Sequence, residues 1–343
     1  MGTRRRRVSV IYSISKLVKW DDLGMEITSN PTQDEIKKAA QTLKDGHLVA
    51  FPTETVYGLG ADATNEKAVS RVYSVKARPT DHPLIVHVSS FNQLGKWTSD
   101  IPEYAIKMAN AFWPGPLTLI LKRSDLAKNF ITGGQDNVGL RVPRHPVAIE
   151  LLIEFEKLGG LGIAAPSANR FGAVSTTNAN AVFQEIGPSL ISEDVILDGG
   201  SSLVGIESTI VDCTHGEPTV LRPGAITLSM INEVIERSIF LNKGEIHTRA
   251  SGLLDSHYAP KARVILSSIT EPGDGFIALK SIKTPNGAIR LASPQNIDQY
   301  ASEIYEALRI GDSKALKRIV VVPPQGEGLA LAIRNRLERA AFY

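Results

Sequence analysis

The chain has 343 residues, 43% of them apolar and 22% charged, the balance of a folded protein rather than a disordered one. Its 38 basic residues stand against 36 acidic ones, so the surface is no blanket polycation and nucleic-acid binding would need a local patch. The single cysteine, Cys213, excludes an internal disulfide and a multi-cysteine metal site and fits a reducing cytoplasm; no apolar run is long enough to cross a bilayer.

At this length two domains are expected. Residues 1–24 begin with Arg4–Arg7 and a short apolar run broken by Ser13 and Lys16. That pattern fails as a signal peptide and reads as a disordered basic extension, or as residues ahead of a true start at Met25. The first helix is predicted from Thr32, with Glu35 placed to complete a capping box and Gly46 closing it. Ile36, Ala39, Ala40 and Leu43 form its apolar face. Leu48–Phe51 reads as a short buried strand ending in the polar stop Pro52-Thr53-Glu54-Thr55. A second helix, Asn65 to Val75, delivers Lys76 and Arg78 before Pro79 turns the chain away.

Strand-like runs follow at 84–88, 117–121, 138–142, 161–164, 195–197, 209–211 and 219–221, with helical patterns near 101–112, 147–156, 179–186 and 228–237. This mixture predicts an α/β fold with parallel and antiparallel pairings. The polar stretch 242–261 reads as a linker, giving domain limits of 25–238, 239–262 and 263–343. After it, strands at 264–266, 275–279 and 319–322 alternate with helices near 297–308 and 329–341, as in a small open α/β domain.

Gly58-Leu59-Gly60-Ala61-Asp62-Ala63 matches a dinucleotide-binding pattern in spelling only, because the preceding strand ends at Phe51; a tight turn is the expected role. No P-loop motif is present. Lys76 and Arg78 alone fit a solvated helix end that complements the helix dipole. Their company points elsewhere. Polar loops at Thr53–Thr55, Trp113–Pro116, Arg141–Pro143, Ala164–Asn169 and Gly205–Thr209 all adjoin strand ends, where α/β folds place ligands. Hydroxyls, an amide and several cations with few carboxylates suit a phosphate-bearing anion. Ser167 has no histidine base in a triad setting, and His87 with His82 lacks the further ligands of a metal site, so no protein-held metal is expected.

In order along the chain, Phe51-Pro52-Thr53-Glu54-Thr55-Val56-Tyr57-Gly58-Leu59, Lys76-Ala77-Arg78-Pro79, Pro83-Leu84-Ile85-Val86-His87, Trp113-Pro114-Gly115-Pro116-Leu117-Thr118 and Ala165-Pro166-Ser167-Ala168-Asn169 resemble the YrdC-like threonylcarbamoyl-adenylate synthases. Gly205–Thr209 and Leu221–Gly224 extend the resemblance, and His257-Tyr258-Ala259-Pro260 is similar to the linker of the longer, two-domain members. The resemblance implies a twisted mixed open sheet with flanking helices, followed by a small Rossmann-like α/β domain. It also implies a reaction: L-threonine, bicarbonate or CO2, and ATP with Mg2+ give threonylcarbamoyl-AMP and pyrophosphate. That product would feed downstream tRNA threonylcarbamoyl transferase machinery.

Carried over by position, Lys76 and Arg78 would be catalytic, neutralising the triphosphate. Thr55, His87, Arg141, Ala165 and Ser208 would line the threonine pocket, with Arg141 as the carboxylate clamp. Arg78, His82, Asn137, Ser167, Asn169, Ser175, Arg222 and Tyr258 would contact ATP. His82, Asn137 and the segment Gly252–Ser256 depart from the usual family residues. Two rivals remain. Carbamoyltransferases of similar fold need zinc-finger or acylphosphatase parts that this chain lacks. A double-stranded RNA or tRNA binder would use Arg78, Lys122, Arg123, Arg141, Arg144 and Arg222 as a basic concave surface.

Overall fold

A computed structural model describes residues 26–239, 241, 248–250, 252 and 258–342. The expected basic extension 1–24, the start at Met25 and the linker positions Leu253–His257 lie outside the described residues.

The first domain is built on ten strands: β1 (Glu26–Ser29), β2 (Val49–Phe51), β3 (Gly58–Asp62), β4 (Ile85–His87), β5 (Leu117–Lys122), β6 (Asn137–Arg141), β7 (Ile163–Ala164), β8 (Val195–Asp198), β9 (Thr209–Asp212) and β10 (Thr219–Arg222). They form one sheet in the order β1-β8-β2-β3-β7-β4-β6-β5-β9-β10. Pairing is mixed: β4 runs parallel to β6, β5 parallel to β9, while β7 is antiparallel to both β3 and β4. Helix Gln33–Lys44 starts as expected, with the Thr32 hydroxyl capping and Glu35 answering it at 2.7 Å. Its buried face, Ile36, Ala39, Ala40 and Leu43, packs with helix Pro146–Lys157 on one side of the sheet. The larger apolar core fills the other side.

One expectation is overturned. Gly58–Asp62 is no tight turn but a strand buried along its whole length, antiparallel to β2. The glycines are there for space rather than for a turn: a Cβ on Gly60 would lie 2.6 Å from Ile163 Cγ2 and 2.9 Å from the Phe51 ring. A glycine-rich run with no β-branched side chain carries weak strand propensity, and the neighbouring strands β2 and β7 supply what the propensity lacks.

The second domain has four parallel strands, β11 (Arg263–Leu266), β12 (Gly275–Ile277), β13 (Ile289–Ala292) and β14 (Arg318–Val321), in the order β11-β14-β12-β13. Helices Ile297–Ser313 and Leu329–Ala340 cover it. Its core does not stop at the domain limit, because Val56, Val174 and Ile206 of the first domain pack into the same apolar cluster. Polar ties reinforce that seam: Arg309 bonds the carbonyl of Val174 and pairs with Glu185 at 3.0 Å.

Candidate active site

The crevice forms among residues at or near the ends of five strands of the first sheet. The ends of β2, β4, β6 and β7 and the start of β9 deliver, respectively, Thr55, His87, Arg141, Ala165 and Ser208, and all five line it. Lys76 and Arg78 enter from the helix Glu66–Lys76, and Tyr258 closes the far side from the linker. About 620 Å3 of space, counting the part open to solvent, lies among these side chains.

The helix Glu66–Lys76 ends because Ala77 adopts a left-handed conformation, φ 51°, so that Lys76 and Arg78 diverge. Lys76 is not a solvated helix end. Its side chain is 1% exposed, and Nζ donates to the carbonyl oxygens of Ser167, at 2.5 Å, and of Asn169. Burial, with Arg78 nearby, pushes its ammonium well below the usual lysine value. Lys76 therefore holds the shape of the Ala165–Asn169 loop while lining the crevice. Arg78 donates Nη2 to the Pro83 carbonyl at 3.0 Å and lies 5.5 Å from the centroid of the Phe171 ring. Burial lowers the Arg78 guanidinium to about 10, which leaves it charged at neutral pH.

Arg141 comes with a partner that the sequence reading did not assign. Its Nη2 donates to Glu54 Oε1 at 2.6 Å, with both side chains buried. The second Glu54 oxygen accepts from the Arg144 amide at 2.9 Å. Glu54 thus orients the fork from behind, and a free fork awaiting a carboxylate on both prongs is not what the fold presents. His87 is buried next to Arg141, and desolvation first, then that cation, lowers its imidazole to about 3. It is neutral at physiological pH, and its Nδ1 has no hydrogen-bond partner among the described residues. A buried polar atom of this kind, facing a crevice, fits a ligand that supplies the missing bond. Thr55 bonds Thr53 at 2.8 Å, and Ser208 bonds Thr118 at the same distance, so each hydroxyl is held in place.

Arg222 spans the strand pair, donating Nε to the Ser208 carbonyl at 3.0 Å and Nη2 to the Ser208 hydroxyl at 3.1 Å. Ser175 does not line the crevice; it donates to Glu207 Oε1 at 2.6 Å, and Glu207 does line it. Ser167 and Asn169 line the crevice, with the Asn169 amide turned to the Arg170 and Ala173 carbonyls. Tyr258 has a positive φ of 62° and is 1% exposed. Gly252 lies so close that a Cβ there would meet the Tyr258 hydroxyl at 2.1 Å. His82 sits one layer out, edge-on to Phe171 at 5.1 Å. Asn137 lines a separate depression that shares Ile85 with the crevice and includes Arg249.

The basic-surface reading fails on burial. Arg78, Arg141 and Arg222 are each at most 7% exposed and point into the crevice, so they cannot be part of an open concave face for a duplex. Phe171, Glu54 and Glu207 are the site residues that residue-type reasoning passed over. Glu54 and Glu207 each stand beside a singled-out hydroxyl, which was the available signal.

The chain matches the Sua5/YciO/YrdC family model, described as telomere recombination, over residues 41–224, and the model of the threonylcarbamoyl-AMP synthase C-terminal domain over residues 226–342. It is similar to the threonylcarbamoyl-AMP synthase of Pyrococcus abyssi, with 38% identity over 90% of this chain and 94% of that protein. The Bacillus subtilis threonylcarbamoyl-AMP synthase is 36% identical over 93% and 96% of the two chains. The crystal structure of P. abyssi Sua5 complexed with L-threonine superposes with a TM-score of 0.83 at 36% identity, covering 92% of this chain and 98% of that one.

Proposed function

Because the chain belongs to the Sua5/YciO/YrdC family in its two-domain form, we propose that it is an L-threonylcarbamoyladenylate synthase, an enzyme of the nucleotidyltransferase class. The threonine amine forms an N–C bond to CO2 with loss of a proton, or to bicarbonate with loss of water, giving a carbamate. A carbamate oxygen then bonds the α-phosphorus of ATP as the bond to the β-phosphate bridge breaks, releasing pyrophosphate. The observation that carries this reading is the convergence of Arg78, Arg141 and Arg222 on one buried crevice. Lined by these three arginines, the crevice suits an anionic ligand, and a triphosphate with a threonine carboxylate is one.

In this reading Arg141 receives the threonine carboxylate while Thr55, His87, Ala165 and Ser208 surround the amino acid. Arg78 and Arg222, with Ser167 and Asn169, receive the nucleotide. No side chain acts as a covalent nucleophile: the chain aligns two anionic reactants and offsets their charge. A neutral His87 adds no further positive charge beside Arg141, and its Nδ1 is available for a hydrogen bond to the ligand. Mg2+ enters with ATP. The two carboxylates beside the crevice, Glu54 and Glu207, are bound to Arg141 and Arg336, and the described residues contain no cluster of three metal-ligating groups. The phosphates themselves would hold the ion and it would add positive charge there. A cytoplasmic location fits this role, with the adenylate passed on to tRNA-modifying partners; no helix among the described residues is long and apolar enough to cross a membrane.

The test is pyrophosphate release from ATP by the full chain. Release that requires both L-threonine and bicarbonate supports the reading; release that ignores either one rejects it.

A further inference from the structure

The second domain reaches the crevice through one buried polar cluster. Arg336, from helix Leu329–Ala340, donates Nε to Glu207 Oε2 at 2.8 Å and Nη2 to the Pro223 carbonyl at 2.9 Å. Tyr305, from helix Ile297–Ser313, donates its hydroxyl to the same carboxylate oxygen at 2.9 Å. Ser175 completes the carboxylate's partners from the first domain at 2.6 Å. The Tyr258 ring is held between these residues, stacked on Tyr305 with centroids 5.8 Å apart and with the Arg336 guanidinium 5.5 Å from its centroid.

The position of Glu207 makes this more than a staple between domains. Glu207 and Tyr258 both line the crevice, and Glu207 directly precedes Ser208, which Arg222 grips. Burial raises the Glu207 carboxyl, but Arg336 and then Arg222 outweigh it and hold the group at about 2, so it is an anion at working pH. A buried carboxylate beside a triphosphate repels it and competes for Arg222. Arg336 removes that conflict by pairing with the carboxylate from behind.

We propose that Arg336 is a positioning residue for ATP, supplied by the second domain, that neutralises Glu207 and keeps Arg222 and the Tyr258 ring turned to the nucleotide. The proposal rests on the crevice being the ATP site. It gives the second domain a part in nucleotide binding; in that arrangement the cluster reaches threonine only through Ser208, while the grip on the threonine carboxylate, Arg141 with Glu54 behind it, holds none of the cluster's residues.

The experiment is calorimetric titration of the full chain with ATP and, separately, with L-threonine, alongside thermal melting. Arg336→Gln is expected to weaken ATP by roughly tenfold or more while threonine affinity stays within about twofold, since one partner of a buried charge pair is lost. The double variant Glu207→Gln/Arg336→Gln removes the stranded anion and is expected to recover ATP affinity to within about threefold of the unaltered chain. A purely structural staple gives the opposite pattern: both ligands weaken together and the double variant is no better than the single. That pattern, or an Arg336→Gln chain that binds ATP normally, overturns the proposal. If Arg336→Gln does not fold, Arg336→Lys keeps the charge and is expected to bind ATP, and loss of ATP binding in a folded Arg336→Lys chain also overturns it. Failure of the unaltered chain to bind ATP would instead reject the reading of the crevice.

Discussion

The ammonium of Lys76 donates to the carbonyl oxygen of Ser167 at 2.5 Å, joining the end of one helix to a loop that lies 91 residues further along the chain. A second bond, to Asn169, makes the contact two-pronged. The lysine therefore holds the loop that lines the crevice beside it.

Substitution of Lys76 by Met keeps the apolar stem and removes the donor. Two buried carbonyls then lose a partner, and stability is expected to fall by about 1–3 kcal/mol along with turnover. Urea denaturation and pyrophosphate release measure the two effects. A variant with normal stability and normal turnover would return Lys76 to the role of an exposed helix end.

Arg141→Gln strands Glu54 and removes the proposed grip on the threonine carboxylate. Threonine binding is expected to weaken by roughly 2–4 kcal/mol, while ATP binding in the absence of threonine changes little. Titration with each substrate separates the two. Parallel loss of both would show that Arg141 serves the whole crevice rather than the amino acid.

Acid stability follows from His87. Its folded-state value of about 3 lies below the ordinary 6.5, so the unfolded chain binds the extra proton between these values. The contribution is intact above 6.5 and is lost as pH falls toward 3, at up to about 1.4 kcal/mol per pH unit. Burial lowers His82 and His145 too, with the same sign. Glu207 acts only lower, between 4.5 and about 2, where protonation costs its pairing with Arg336. Chemical denaturation from pH 7 to 5 is expected to show falling stability that His87→Gln flattens. An equal slope in that variant would remove His87 as the cause.

Gly60→Ala tests the central strand. The new methyl meets Ile163 and the Phe51 ring inside van der Waals distance, and a cost of about 1–3 kcal/mol is expected. Gly95→Ala, where a Cβ meets nothing within 4 Å, is expected to change stability by less than about 1 kcal/mol, in the stabilising direction. Equal effects at the two positions would contradict the packing described for Gly60.

Much of this was legible in the residues. The Thr32–Glu35 box, the apolar faces of the helices and the polar loops at strand ends follow from periodicity and cap chemistry, and four of the five loops did converge on one crevice, Trp113–Pro116 giving it no lining residue. Gly58–Asp62 was not legible, because a glycine-rich run becomes a strand only when Phe51 and Ile163 crowd it from either side. The burial of Lys76 was not legible for a related reason: a basic residue in a last helical turn usually faces solvent, and only the Ala165–Asn169 loop folding over it decides otherwise. The pair Glu207–Arg336 spans 129 residues and two domains, and no local pattern joins its halves. His82 and Asn137 stand outside the crevice lining, where a carry-over by position cannot tell a contact from a neighbour.

The most direct measurement supplies the full chain with ATP, L-threonine and carbon-labelled bicarbonate and identifies the adenylate by mass spectrometry. An AMP-linked threonine that carries the labelled carbon is the predicted product. An unlabelled threonyl adenylate, or no adenylate at all, would contradict the synthesis of threonylcarbamoyl-AMP in this crevice.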